Sequence, residues 1–282
     1  HRNTWDKGRL TNFQVAPIIP VQADQSYSDG EPTGRMGVRL KPADDIMLYG
    51  QFARGYRSSA INGGALTNPA DLNVARPEKL DSWEVGLKSQ LFDRMLTFNA
   101  SAFLYKFRNQ QFINVVGIGT QQLVNAGRSE IKGIEIEAAL RPAEGLSFTA
   151  GLGLLDSEYK ELLLNGVDLS GNELIEAPHR TLNLAADYRV PVGAGGSLGF
   201  HFDATNVTRQ YFSATNSADF RVPAFWDLGA RIAFVEPSGR FEIAAYAKNL
   251  TDNRKSTGIQ IDPSTLTKFS TVPYPRRFGV EL

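Results

Sequence analysis

The sequence predicts an all-β chain, a transmembrane antiparallel up-and-down β-barrel. Three observations carry the prediction: hydrophobicity with a period of two, connections that alternate between short and long, and no apolar run of 18 or so residues that could cross a bilayer as a helix.

Composition permits this class and removes others. The 282 residues are 42% hydrophobic and 21% charged, and 30 basic side chains balance 30 acidic ones, so nothing electrostatic invites a nucleic-acid partner. A mean hydropathy of -0.25 is that of an ordinary soluble chain. A strand with one face in lipid and the other in a polar lumen has the same value, because only alternate residues need be apolar. The chain has no cysteine, which removes disulfides and thiolate chemistry and fits an oxidising envelope. It begins at His1 with no basic segment leading into an apolar one, so a signal peptide is expected to have been removed or to lie upstream.

About twelve strands are expected, near 9–19, 34–41, 45–56, 80–91, 95–108, 128–141, 146–158, 179–190, 197–208, 223–235, 240–251 and 275–282. In 181–190, Leu182, Leu184, Ala186, Tyr188 and Val190 face one way, and Thr181, Asn183, Asp187 and Arg189 the other. Strand 133–140 opposes Ile134 and Ile136 to Glu135 and Glu137. In 198–204, Phe200 and Phe202 oppose His201 and Asp203, and Leu228 and Ile232 alternate with Asp227 and Arg231 further on. The apolar set is expected to meet lipid, since a one-residue slip would put every charge into hydrocarbon.

Every second connection is tight and rich in turn formers: Lys41–Asp44, Phe92–Arg94, Arg141–Gly145, Pro191–Gly195 and Glu236–Gly239. Between them, 20–33, 57–79, 109–127, 159–178, 209–222 and 252–274 read as long polar loops. Short turns on one rim and long loops on the other fit periplasmic turns and extracellular loops. No helical pattern of useful length appears, so no second globular domain is expected.

Several stretches resemble one family, the TonB-dependent outer-membrane receptors, which import ferric siderophores, vitamin B12 and some sugars. Leu48–Arg57 is similar to the family's strand that ends Gly-aromatic-Arg, here Gly55-Tyr56-Arg57 with Asn62 following. Pro77–Lys88 resembles the strand with a Glu-x-Gly-x-Lys core, and Asn125–Glu137 the most distinctive stretch of these barrels. Ala247–Asp252 looks like the penultimate-strand exit and Pro275–Val280 like the closing strand. The resemblance implies a 22-stranded barrel, an N-terminal plug and a segment that touches TonB. Residues 1–282 then correspond to the C-terminal part of the barrel, with plug and first strands absent from this chain. The carboxyl end is likewise expected to be incomplete, since Arg277-x-Gly279-x-x-Leu282 starts the terminal barrel pattern and stops before its last aromatic.

The implied function is TonB-dependent import of a scarce ligand, a ferric siderophore foremost, across the bacterial outer membrane. Its partners would be membrane lipid and the TonB–ExbB–ExbD complex, reached through an absent N-terminal segment. A small self-contained barrel enzyme or a passive porin is the alternative. No catalytic residue, cofactor or metal site is expected. Gly195-Gly196-Ser197-Leu198-Gly199 matches a nucleophile elbow, but a strand follows it rather than the required helix. The histidines at 1, 179 and 201 have no metal-ligand spacing. Glu84, Lys88, Glu135, Glu137, Asp187, Arg189, His201 and Asp203 are expected to face the lumen, pairing across strands or gripping the plug. Tyr56, Arg57, Tyr159, Tyr211 and Phe212 fall near the outer rim, as girdle residues or as contacts for an anionic, catechol-bearing chelate.

Overall fold

The computed structural model describes residues 2–12, 21–62, 73–117, 120–193, 195–262 and 265–282. Eleven strands form one antiparallel sheet in chain order: β1 (Gly34–Ala43), β2 (Ile46–Arg57), β3 (Glu78–Leu91), β4 (Leu96–Gly117), β5 (Thr120–Ala143), β6 (Leu146–Glu161), β7 (Arg180–Val192), β8 (Gly196–Val207), β9 (Phe225–Val235), β10 (Glu242–Lys248) and β11 (Arg277–Glu281). Each pairs with its chain neighbours, so the meander read from periodicity is the one that forms. β1 and β11 are the two edges, and among the described residues no ladder joins them. The sheet is an open arc.

Two expectations change. The strand placed near 9–19 is absent from the sheet. Arg2–Asn12 instead pairs with Val21–Glu31 as a separate hairpin, so most of the expected loop 20–33 is strand, and residues 13–20 lie outside the described residues. Both segments mix polar residues at odd and even positions, which removes the alternation by which a half-buried strand is read. The expected loop 109–127 is also strand for most of its length. The β4–β5 ladder breaks at Asn109, whose φ is 54°, then resumes from Gln110↔Ala126 to Gly117↔Thr120. Above the membrane level both faces of a strand can be polar, and polarity alone suggested a loop.

The register sorts side chains onto two faces. One continuous row is Phe98, Ala138, Ala150, Leu184, Ala204 and Leu228, and another is Val38, Gly50, Val85, Ala102, Ile134 and Leu154. The opposite face carries Lys88, Asn99, Glu137, Gly151, Asn183, Thr205 and Asp227 in one row and Asp187, His201 and Arg231 in another. Leu184, Tyr188, Phe200, Phe202, Ile134 and Ile232 are exposed although large and apolar. A face this apolar belongs against hydrocarbon, and its polar reverse against water.

Towards the long-loop end the outer face turns from apolar to charged over one step in strand after strand: Phe52 to Arg54, Trp83 to Asp81, Leu104 to Lys106, Ile134 to Lys132, Leu154 to Asp156 and Leu182 to Arg180. Asp81 takes 2.5 Å and 2.6 Å hydrogen bonds from Arg54 and Arg108, and Lys132 lies 3.0 Å from Asp156. Paired charges suit the headgroup level, where the hydrocarbon ends.

On the lumen face, rings lie over glycines of the facing strand. An ideal Cβ at Gly86 would fall 2.5 Å from the Tyr49 ring, and one at Gly279 2.5 Å from that of Tyr246. At Gly133 it would fall 2.6 Å from Phe103 and 2.6 Å from the Leu154 carbonyl oxygen. These glycines sit inside the Glu-x-Gly-x-Lys stretch, the Lys132-Gly133-Ile134-Glu135 stretch and the closing strand, so each motif records a place where a ring occupies the space of a side chain, with backbone also in the way at Gly133.

Candidate functional site

The lumen face gathers the expected charges without pairing them all. Glu84 accepts hydrogen bonds from Tyr49 Oη at 2.6 Å and Gln51 Nε2 at 3.1 Å. His201 stands between Asp187 at 2.7 Å and Asp203 at 3.5 Å. Arg231 joins Glu242, and its Nε lies 3.5 Å from Glu281. Glu84, Lys88, Glu135 and Glu137 line one shallow recess with Tyr49 and Ser101. Lys88, Glu135, Glu137, Asp187, Arg189 and Asp203 remain exposed on this face. The wall therefore offers water, or a polar body inside the arc, a surface of both signs.

Polar side chains of the recognised stretches stitch the upper rim, a role the sequence did not reveal. Buried Glu78 accepts from the Gln111 backbone N–H at 2.7 Å, and Gln111 Nε2 donates to the Ser58 and Arg76 carbonyls, both at 2.9 Å. Asn125 Nδ2 donates to the Asn109 carbonyl at 2.7 Å, while its Oδ1 accepts from the Arg76 N–H at 2.9 Å. Asn249, at φ 50°, donates to the Asn253 and Tyr274 carbonyls at 3.0 Å and 2.9 Å and so ties the strand exit to the last connection. Buried polar groups of this kind must be paired, which is why the residue types are specific.

The five rim residues named from sequence do not form one site. Tyr56 and Arg57 are consecutive in β2 and point to opposite faces. Tyr56 lies opposite Lys79 on the outer face, and Arg57 sits 3.2 Å from Glu78 on the inner one. Tyr159, expected as a girdle or ligand residue, is 2% exposed and belongs to a small core with Ala126, Leu162, Leu169, Leu174 and Ala214. That core forms because 170–179 folds back along the upper end of β6, through Tyr159 N–H to Asn172 O at 2.9 Å and Leu155 N–H to His179 O at 2.9 Å. Tyr211 packs under the Arg209 guanidinium, 5.1 Å from the ring centre. Phe212 lines an open cleft. The cleft holds about 480 Å³ between the extended β4–β5 hairpin and the loops after β6, β8 and β10, with Phe112, Ile113, Leu164, Val167 and Phe220 among its walls. The apolar run Phe112-Ile113-Asn114-Val115 was the sequence signal for it, obscured because the stretch read as a polar loop.

Arg209 also fixes the loop after β6. Its two terminal nitrogens hold Glu173 at 2.7 Å and 3.1 Å, and His179 Nε2 approaches the same carboxylate at 3.2 Å. Burial pushes the Glu173 carboxyl up, but the bonds from Arg209 and His179 prevail and hold it below its ordinary value. A depressed carboxylate contributes stability that is present above its unfolded value and lost as pH falls through the folded one. The tie is expected to hold at neutral pH and to open below the ordinary carboxylate range. Glu173→Gln should reproduce the acid state at neutral pH, seen as faster proteolysis of 162–178 on intact cells. Equal cleavage of both forms at neutral pH would remove the tie.

An apolar outer face and a polar inner face, with short turns at one end and long folded loops at the other, define a wall of the transmembrane β-barrel type. The TonB dependent receptor-like β-barrel model matches residues 2–250, and the chain belongs to that family. The members of this family are outer-membrane proteins of Gram-negative bacteria. The chain is 28% identical over 248 residues to the pesticin receptor of Yersinia enterocolitica, covering 83% of this chain and 33% of that receptor. It is 25% identical over 211 residues to the probable TonB-dependent siderophore receptor PiuA of Acinetobacter baumannii, covering 68% of this chain and 27% of the relative. Among solved structures, the ferric yersiniabactin uptake receptor FyuA of Yersinia pestis superposes with a TM-score of 0.77 at 22% identity, over 93% of this chain and 38% of that one. The chain thus spans about a third of the length of the curated relatives it matches.

Proposed function

We propose that the protein to which this chain belongs imports a scarce ligand, foremost a ferric siderophore, across the outer membrane of a Gram-negative bacterium, with no chemistry on the ligand. The observation that carries the reading is the two-faced wall itself: lipid-compatible outside, charged and open inside, with folded loops gathered at one end only. Family membership adds the energy source, with TonB–ExbB–ExbD acting through a segment outside this chain to displace a plug held against Glu84, Lys88, Glu135, Glu137, Asp187, Arg189, His201 and Asp203. The open edges β1 and β11 support the same reading. In a bilayer each unpaired backbone group costs several kcal/mol, and the reading accordingly places further strands beside both edges. The loops capture and the energised plug releases, so the two steps separate experimentally. In cells carrying the full-length protein, uptake of a radiolabelled ferric siderophore should collapse with a protonophore or without TonB, while binding to intact cells persists. Uptake indifferent to both would show passive flow through a pore.

A further inference from the structure

We infer that the cleft above the wall takes an uncharged, aromatic or otherwise apolar face of the ligand, so that the chelate this protein binds is neutral there and not a polyanion. The inference rests on the import reading and narrows its ligand class. Among the described residues, every side chain that lines the cleft is non-ionisable, and the polar members are Asn114, Asn165, Ser213 and Thr215. Of the cations nearby, one is neutralised and one stands at the edge with its charge uncompensated by a carboxylate among the described residues. Arg209 is held by Glu173, and Lys268, 5.8 Å from the Phe220 ring centre, donates to the Asp219 carbonyl at 3.1 Å. A carboxylate-rich or threefold negative tris-catecholate complex placed here would lose hydration against an uncharged lining and meet only Lys268 at its edge among the described residues, which is costly. An apolar face loses nothing and covers Ile113 and Val167, which are 64% and 56% exposed. The amide nitrogen of Asn114 is buried without a hydrogen-bond partner among the described residues, a donor that can turn to a neutral acceptor on the ligand. Of the rim groups expected to grip an anionic catechol chelate, Phe212 lines the cleft, whereas Tyr56, Arg57, Tyr159 and Tyr211 are not among its lining residues.

The test uses the full-length receptor in outer-membrane vesicles and three probes: iron(III) tris(N-methylbenzohydroxamate), neutral and aromatic; an iron(III) tris-catecholate, threefold negative; and iron(III) citrate. The neutral aromatic chelate should bind tightest, and Ile113→Asp or Val167→Asp should weaken it about tenfold or more, since each sets a carboxylate against the bound apolar face. Ile113→Leu should bind as the parent does. Both positions are exposed, so the variants should reach the surface, which heat-modifiability on gels will verify. Tighter binding of the tris-catecholate, or Ile113→Asp without effect on the neutral probe, would overturn the inference and leave the import reading intact. No binding of any of the three iron chelates would count against both.

Discussion

Leu184→Arg is expected to destabilise the assembled barrel by about 2–4 kcal/mol, the cost of an arginine deep on a lipid face, whereas Asn183→Arg one residue away should be close to neutral. Leu184 sits in the outer row between Ala150 and Ala204 and is 39% exposed. Asn183 lies on the lumen face between Gly151 and Thr205, and it accepts a 3.0 Å hydrogen bond from Thr205. A guanidinium there meets water, and Glu137 and Asp227 stand further along the same row. Denaturant unfolding of the full-length protein in lipid vesicles gives both numbers. Equal costs would mean that the two faces have been assigned wrongly, since strand geometry puts neighbouring residues on opposite sides.

Gly133→Val should be the second severe change, and Gly151→Val, on the next strand and the same face, should be tolerated. At Gly133 a side chain runs into the Leu154 carbonyl oxygen and the Phe103 ring, both at 2.6 Å, and the carbonyl is backbone that cannot turn away. Relief requires β5 and β6 to move apart, which breaks their ladder, so the cost should reach or exceed the roughly 1–3 kcal/mol of ordinary overpacking. Gly151 has nothing within 4 Å of its ideal Cβ, and valine favours extended backbone. The yield of heat-modifiable, membrane-inserted protein distinguishes them. Comparable yields of the two variants would show that the Gly133 contact yields easily and does not explain that motif.

How much was legible from sequence follows from the length scale of each signal. Alternation is local, since Leu182 to Val190 declare their two faces within ten residues, and the register aligns those two sets with like sets on β6 and β8. Tight turns were legible for the same reason. Gly145 occupies φ 73° with the Arg189 carbonyl 2.1 Å from its ideal Cβ, a position only glycine fills. The hairpin of Arg2–Asn12 with Val21–Glu31 and the extension of β4 and β5 past Asn109 were not legible, because polar strands outside the bilayer carry no two-fold pattern.

By itself, the sequence determined the meander, the two-faced wall and the family-like stretches, because burial in lipid imposes a rule on every second residue. Tertiary structure alone decided which rim residues meet. It set Tyr56 and Arg57 on opposite faces, buried Tyr159 beneath 170–179, bound Arg209 to Glu173 and brought Ile113, Val167, Phe212 and Phe220 around one uncharged cleft. Those residues come from strand ends and loops far apart in the chain, and their meeting depends on how each loop folds back over the wall. No periodic rule governs that folding, so the identity of a loop residue says what it could bind but not what it stands beside.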